Sequence, residues 1–186
     1  MKLHSKLSDN FFVITGGPGA GKTTLLNELR KLGYFCIDES ARDIIRNQIA
    51  VNGDALPWNN KQHFMELMFK YAVDTYKMAQ QHKNPEVTFF DQGIIDVITY
   101  AYRNTIPITK EMEQAAQTFR YNKKVFVAPP WQEIYCSDTE RKHTFEEAVE
   151  VFNKKVEIYK EYGYELLHLP QSSIQDRIDF ILKHIR

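Results

Sequence analysis

Several residue types and patterns are scarce in this chain of 186 residues, and each scarcity excludes a class of protein. The two cysteines, Cys36 and Cys136, lie far apart and have no metal-ligand spacing, so neither a disulfide framework nor a cysteine metal site is expected. No apolar run approaches the roughly 20 residues that span a bilayer. The first ten residues lack the apolar stretch of a signal peptide. These absences predict a protein of the reducing cytoplasm.

An excess of charge of either sign is also missing. Lys and Arg number 24, Asp and Glu number 24, and the formal net charge is zero. A neutral chain has no strong attraction to nucleic acid or to an anionic membrane, so neither partner is expected. The length and an apolar content of 43% predict one domain, residues 1–186, that is large enough to bury a core.

The most informative stretch is present near the start, where residues 11–24 read FFVITGGPGAGKTT. Four apolar residues enter a glycine-rich turn, and leucines at helical spacing follow it. The turn matches the P-loop pattern, in which backbone amides and a helix N-terminus face phosphate, Lys22 reaches the outer phosphates and Thr23 holds Mg²⁺. The predicted nucleotide-binding residues are Gly16, Gly17, Pro18, Gly19, Ala20, Gly21, Lys22, Thr23 and Thr24. A glycine-rich turn that binds nothing would not explain why strand, motif and helix coincide.

Short apolar runs alternate with helical patterns along the rest of the chain. Strands are predicted at residues 11–14, 34–37, 87–90, 125–128 and 164–169. Such alternation indicates an α/β fold with a parallel five-stranded sheet and helices on both faces. Because ligands of these sheets lie beyond the carboxyl ends of the strands, the residues that follow each strand should share one rim with the P-loop.

Asp91 follows the third apolar run, which is the usual form of a Walker B carboxylate. On the predicted rim it would hold Mg²⁺ together with Thr23, directly or through water. The alternative is an acidic residue that caps the following helix. Hydrolytic ATPases often place Glu after this aspartate to activate water, but this chain has Gln92, which cannot act as a base and is instead a candidate substrate contact. The guanine-reading pattern Asn-Lys-x-Asp is absent.

Two acids, Asp38 and Glu39, end the second predicted strand. In P-loop kinases an acid at this position accepts a proton from the acceptor hydroxyl or holds the acceptor, and we assign the first role to Asp38 and the second to Glu39. The alternative is that both acids only complement the dipole of the following helix. Arg42, one turn later, faces either the same cleft or solvent.

Residues 131–147 are predicted to form a lid segment over the phosphates. Arg141 lies within it, where a guanidinium would stabilise the charge that develops on a transferred phosphoryl group. The alternative is that Arg141 is simply one member of a charged loop.

These motifs resemble those of the NadR-like AAA-type P-loop domains, which are related to the nicotinamide riboside kinase part of NadR and to nucleotide kinases. Further shared stretches are Asp38-Glu39-Ser40-Ala41-Arg42, Asp91-x-Gly93, Pro129-Pro130-Trp131, Asp138-x-Glu140-Arg141 and Gly163-Tyr164-Glu165-Leu166, with Pro170 after the fifth strand. The resemblance covers nearly the whole chain. It implies ATP, Mg²⁺, a sheet of order 2-3-1-4-5 and an adenine site near Pro170. Such domains commonly have Asp-Arg-Gly where this chain has Asp91-Gln92-Gly93, so a substrate-binding cation is missing.

Together the residues and the resemblance predict an ATP-dependent kinase of a small hydroxyl-bearing metabolite, such as a nucleoside or a ribosyl compound. The alternatives are a slow ATPase or GTPase switch that acts on a protein partner, and a nucleotide-binding module without turnover.

Overall fold

The computed structural model describes residues 8–81, 87–135 and 144–185. Within them, five strands form one sheet: β1 (Phe11–Gly16), β2 (Phe35–Ile37), β3 (Thr88–Asp91), β4 (Lys124–Ala128) and β5 (Glu165–His168). The predicted strands begin or end within two residues of these bounds.

The strand order is β2-β3-β1-β4-β5, and every neighbouring pair is parallel. This confirms the predicted order. The register pairs Ile14 with Asp91 of β3 on one side and with Phe126 of β4 on the other. The P-loop therefore emerges from the central strand, next to the end of the strand that carries the Walker B aspartate.

Helices cover both faces of the sheet. They are α1 (Lys22–Lys31), α2 (Ala41–Ala50), α3 (Lys61–Gln81), α4 (Ile94–Arg103), α5 (Lys110–Thr118), α6 (Phe145–Glu161) and α7 (Ile174–His184). Successive residues of a strand point to opposite faces, so Phe11 and Val13 pack under α3 to α6, whereas Phe12 and Ile14 pack under α1 and α7. The two apolar layers hold the ends of the strands in fixed positions along one rim.

The first turns of the helices are bonded in different ways. Thr144 caps α6 in a capping box with Glu147, and the Ser173 hydroxyl caps α7. Ser40 precedes α2, but its backbone is already helical and its side chain makes no capping hydrogen bond. In the part of the chain that the structure describes, no helix combines the length and apolarity needed to cross a membrane.

Candidate functional site

The P-loop turn connects β1 to α1 and packs closely against its neighbours. A side chain at Gly16 would overlap the carbonyl oxygen of Ala128 on β4, and the φ of Gly16 is 147°, which favours glycine. A Cβ at Gly17 would lie 2.8 Å from the carbonyl oxygen of Ala148 on α6. The glycines therefore let two other elements approach the backbone of the turn, which fixes where α1 begins.

A cleft of about 470 Å³ opens beside this turn, a size usual for small-ligand sites. Its lining comprises Gly19–Thr24, Asp38, Glu39, Arg42, Asp43, Arg46, Asp91 and Ile134. The structure thus brings together the P-loop lysine, both predicted metal ligands and three predicted acceptor-side residues. Arg46 and Asp43 were not among the predicted site residues, although Arg46 lies one helical turn after Arg42 and shares its face.

Lys22 is nearly buried at the base of the cleft. Its ammonium group donates to the carbonyl oxygen of Gly17 at 3.0 Å and to that of Gly16 at 3.5 Å. The charge is therefore held inside the turn itself, within reach of any phosphate that the turn would bind.

Asp91 is also nearly buried, and its Oδ1 atom has no hydrogen-bond partner among the described residues. Burial raises the pKa of this carboxyl to about 7; the charge of Lys22 opposes the shift and that of Glu39 adds to it. A buried carboxylate oxygen without a partner is costly in an empty site and is a suitable ligand for Mg²⁺. Thr23 lines the same cleft, so the structure brings both predicted magnesium ligands to one cavity.

Asp38 does not point freely into the cleft. Arg30 of α1 holds its carboxylate, with Nη2 2.6 Å from Oδ1, and the Asp38 side chain is 60% exposed. The hydroxyl of Tyr71 donates to the Asp38 carbonyl oxygen at 3.2 Å. Glu39 is less exposed than Asp38, and its charge acts on Asp91. The two acids therefore differ: Asp38 is paired with Arg30 at the wall of the cleft, whereas Glu39 lies near Asp91, the predicted metal ligand.

Gln92 lines a second, narrower crevice, of about 20 Å³, which has room for a single water molecule. The crevice lies between the ends of β2 and β3 and the side of α3, and it adjoins the main cleft at Asp38, Glu39 and Asp91. Gln92 has a φ of 72°, and its backbone N–H donates to the carbonyl oxygen of Ile14 at 3.1 Å. This left-handed backbone turns the chain sharply between Asp91 and the start of α4.

Several buried polar residues next to the P-loop escaped the sequence analysis. Arg177 of α7 donates to the carbonyl oxygen of Ala20 at 3.1 Å, and burial lowers the pKa of its guanidinium. Asp96 and Lys155 form an ion pair of 2.7 Å between α4 and α6. Asp96 stands three residues after Gly93, a spacing that capping patterns could have revealed. Lys155 and Arg177 carry no such signal, because each resembles a surface charge on an amphipathic helix.

Arg141 and the middle of the predicted lid lie outside the described residues, so the assignment of Arg141 stays a prediction. The segment before this gap reaches the P-loop: a Cβ at Gly19 would lie 2.6 Å from the ring of Tyr135, which packs edge-on against Phe145 at a centroid distance of 5.5 Å. One aromatic pair thus lies beside the P-loop.

Comparison with known proteins identifies a family. The family model of an AAA domain matches residues 11–177. The chain is 21% identical over 173 residues to a "Nucleotide-binding protein" of Lactobacillus delbrueckii subsp. bulgaricus, a match that covers 89% of this chain and 59% of the relative's length. The chain thus spans less than two thirds of that relative.

The fold is shared with solved structures of other proteins. The NadR protein in complex with NR superposes with a TM-score of 0.67 at 21% identity, over 94% of this chain and 50% of that one. The deoxyadenosine kinase from M. mycoides, with the products dCMP and dCDP, superposes with a TM-score of 0.63 at 17% identity, over 93% of this chain and 97% of that one. The predicted resemblance to NadR-like domains and nucleotide kinases is therefore confirmed at the level of fold.

Proposed function

The chain belongs to the AAA domain family, and on that premise we propose that it binds ATP with Mg²⁺ and transfers the γ-phosphate to a hydroxyl group of a small, nucleoside-like metabolite. One observation carries the proposal. The P-loop lysine, a buried carboxylate oxygen without a described partner, a threonine hydroxyl and three further acids all line one cleft. Such a cleft has separate groups for phosphate, for metal and for a hydroxyl acceptor.

Each group has a role that its position supports. Lys22 leaves the carbonyl oxygens of the turn and pairs with the outer phosphates, while the P-loop amides hold the rest of the phosphate chain. Thr23 and Asp91 hold the metal. Mg²⁺ held by these two side chains would supply positive charge next to the phosphoryl group during transfer. Arg42 supplies a further cation on the cleft wall.

The acceptor hydroxyl is placed against the acidic side of the cleft. Asp38 was predicted to receive its proton, and we retain that role with one condition: an acceptor must displace or share the contact that Arg30 makes with Asp38. Glu39 is the second candidate, because its charge already acts on the metal-binding carboxyl. Gln92 would contact the acceptor from the adjoining crevice, which must widen to admit more than water.

The kinases among the structural neighbours support the acceptor class. NadR has been solved in complex with NR, and the deoxyadenosine kinase with dCMP, dCDP and dATP. Because identity with these proteins is 21% or less, the choice of a nucleoside-like acceptor is part of the proposal.

A nucleotide-binding switch or module is the second candidate. Its support is that the Lactobacillus delbrueckii relative is named only for nucleotide binding, and that Gln92 stands where a hydrolytic base would stand. A kinase should release ADP when an acceptor is present, whereas a switch should release ADP when a protein partner is present.

The decisive experiment measures ADP release from ATP and Mg²⁺ with a panel of nucleosides and other hydroxyl-bearing metabolites, each with Lys22→Ala as the control. Release that depends on one class of acceptor, with the phosphorylated acceptor found by mass spectrometry, is the expected result. Tight ATP binding without release on any acceptor would contradict the kinase and favour the switch or module.

A further inference from the structure

One buried carboxylate beneath the P-loop is held by four groups from three parts of the chain: β1, the turn before α4, and α6. On Oδ1, Asp96 accepts from the hydroxyl of Thr15 at 2.5 Å and pairs with Lys155 at 2.7 Å. On Oδ2, it accepts from the amide of Gly93 at 2.7 Å and from the hydroxyl of Tyr159 at 2.5 Å. Although burial acts to raise the pKa of Asp96, the Lys155 charge and these hydrogen bonds hold it below its ordinary value. The carboxylate is therefore charged and fully bonded.

Lys155 also contacts the P-loop directly. Its ammonium, on a side chain that is nearly buried, donates to the carbonyl oxygen of Gly16 at 3.1 Å. The same carbonyl lies 3.5 Å from the ammonium of Lys22. Two lysines from distant parts of the chain thus share one backbone oxygen, and the buried Asp96 carboxylate holds Lys155 in this position.

The Asp96 carboxylate links the two halves of the proposed phosphate and metal site. Thr15 lies on β1 directly before the P-loop, and Gly93 lies two residues after Asp91. Because both donate to the same carboxylate, the distance between the P-loop and the turn that carries Asp91 depends on the Asp96 side chain.

We propose that Asp96 and Lys155 are positioning residues for nucleotide: Lys155 keeps the Gly16 carbonyl satisfied when Lys22 moves to the phosphates, and Asp96 holds the Walker B turn in register with the P-loop. The inference rests on the proposed binding of ATP and Mg²⁺. It adds a second lysine, from α6, to the machinery that shapes the P-loop, at a position outside the P-loop motif.

A purely structural role is the competing explanation. Buried ion pairs are seldom required for stability, since an uncharged pair of similar volume often supports a fold equally well. An uncharged pair cannot replace the donor to Gly16, however. Stability and nucleotide affinity should therefore respond differently when both charges are removed together.

The test compares Lys155→Met, Asp96→Asn and the double variant by thermal unfolding and by calorimetric titration with ATP and Mg²⁺. Each single variant leaves a buried charge unpaired and should be destabilised, to the point of not folding in the case of Lys155→Met. The double variant has no unpaired charge and should regain most of the lost stability. We expect it nevertheless to bind ATP with Mg²⁺ about tenfold or more weakly than the wild-type chain, the loss typical of groups that orient a site.

Met112→Ala is the control, because it opens a cavity in the core at α5 and destabilises the fold without contacting the cleft. It should keep the affinity of the wild-type chain. Wild-type affinity in a folded double variant would overturn the positioning role and leave the proposed function standing. A wild-type chain that binds no ATP would overturn both.

Discussion

At the scale of single residues, the cleft concentrates unusual environments in a few side chains. Lys22 is a nearly buried ammonium that touches backbone carbonyls, and Asp91 is a nearly buried carboxylate with an oxygen that no described group satisfies. The Asp91 oxygen weakens the fold of the ligand-free protein, because a desolvated polar group is costly unless it is fully bonded. A bound metal ion would supply its missing partner.

Lys22→Ala should remove productive ATP binding and leave the fold intact, because this ammonium is used for phosphate and its loss opens no cavity in the apolar core. We expect affinity for ATP with Mg²⁺ to fall about a hundredfold or more, in line with the loss of a fully desolvated charge contact. Calorimetry on the folded variant measures it. Lys31→Ala is the matched control, since that lysine is exposed at the far end of the same helix. Unchanged affinity in Lys22→Ala would remove the P-loop assignment.

Asp91→Asn should stabilise the metal-free protein at neutral and alkaline pH. The folded pKa of Asp91 lies at about 7, above the unfolded value of 3.8, so the folded state binds the extra proton between these values. The stability that this proton contributes is present at low pH and is lost as pH rises through about 7. Asparagine avoids the loss, so the gain in free energy of unfolding should grow across this window to about 1 kcal/mol or more.

Chemical denaturation of wild type and variant across that pH range provides the measurement. Asp74→Asn, on the exposed side of α3, controls for the general effect of removing one negative charge. A difference between wild type and Asp91→Asn that stays constant with pH would show that Asp91 does not titrate in this window.

Intrinsic ATP hydrolysis should be slow, and an acceptor should accelerate phosphate loss. Gln92 offers no base to water, and unassisted P-loop proteins turn over at about 10⁻⁴ to 10⁻² s⁻¹. Steady-state assays with ATP and Mg²⁺ alone test this, and turnover of about 1 s⁻¹ without acceptor would favour the NTPase alternative.

Once an acceptor is known, the variants Asp38→Asn and Glu39→Gln should show which of the two acids acts on the acceptor, and Arg141→Ala tests the predicted lid arginine. Full acceptor-dependent activity in Asp38→Asn would contradict the proposal that Asp38 receives the proton of the acceptor hydroxyl.

At the scale of elements, helix starts differ in how their first turn is bonded. Ser173→Ala should cost about 1 kcal/mol, because the Ser173 hydroxyl accepts from the amide of Asp176. Ser40→Ala should cost much less, because the Ser40 side chain makes no capping bond at α2. Equilibrium unfolding of the two variants measures the difference. Equal losses would show that Ser40 caps its helix in solution.

The elements were predictable to different degrees for physical reasons. The strands were found because each is a short apolar run between turn signals, and the five runs match β1 to β5 closely. The buried face of α3 is harder to predict: its helical spacing from Phe64 places Met78 on the buried side, yet Met78 is 49% exposed and Tyr76 is buried instead. Tyr76 packs against aromatic rings from distant parts of the chain, such as Phe11 and Phe119. The helical spacing of residues in α3 could not predict these contacts.

The P-loop, Asp91 and the adjacent acids Asp38 and Glu39 were recognisable because each belongs to a short pattern of neighbouring residues. Contacts between distant segments left no such signal. Arg30 reaches Asp38 only because α1 packs beside β2, and Lys155 reaches Gly16 across 139 positions of the chain. The parts of the site that need tertiary packing are therefore the parts that sequence patterns missed.

At the scale of the whole molecule, ligand binding should be visible as stability. A ligand that binds only the folded state at a hundred times its dissociation constant adds about 2.7 kcal/mol to the free energy of unfolding. We therefore expect ATP with Mg²⁺ to raise the melting temperature of the wild-type chain. Thermal scans with and without nucleotide measure this. Lys22→Ala should show little of the rise, and an equal rise in that variant would point to a binding site elsewhere.

The shared carboxylate of Asp96 also constrains how the protein can change over time. Replacing either Asp96 or Lys155 alone leaves a charge buried without its partner, whereas replacing both together does not. A lineage that loses one must therefore lose the other almost at once, or pass through a form that folds poorly. Among family members the two positions should covary as a pair, although they stand on different helices and neither belongs to the phosphate-binding motif.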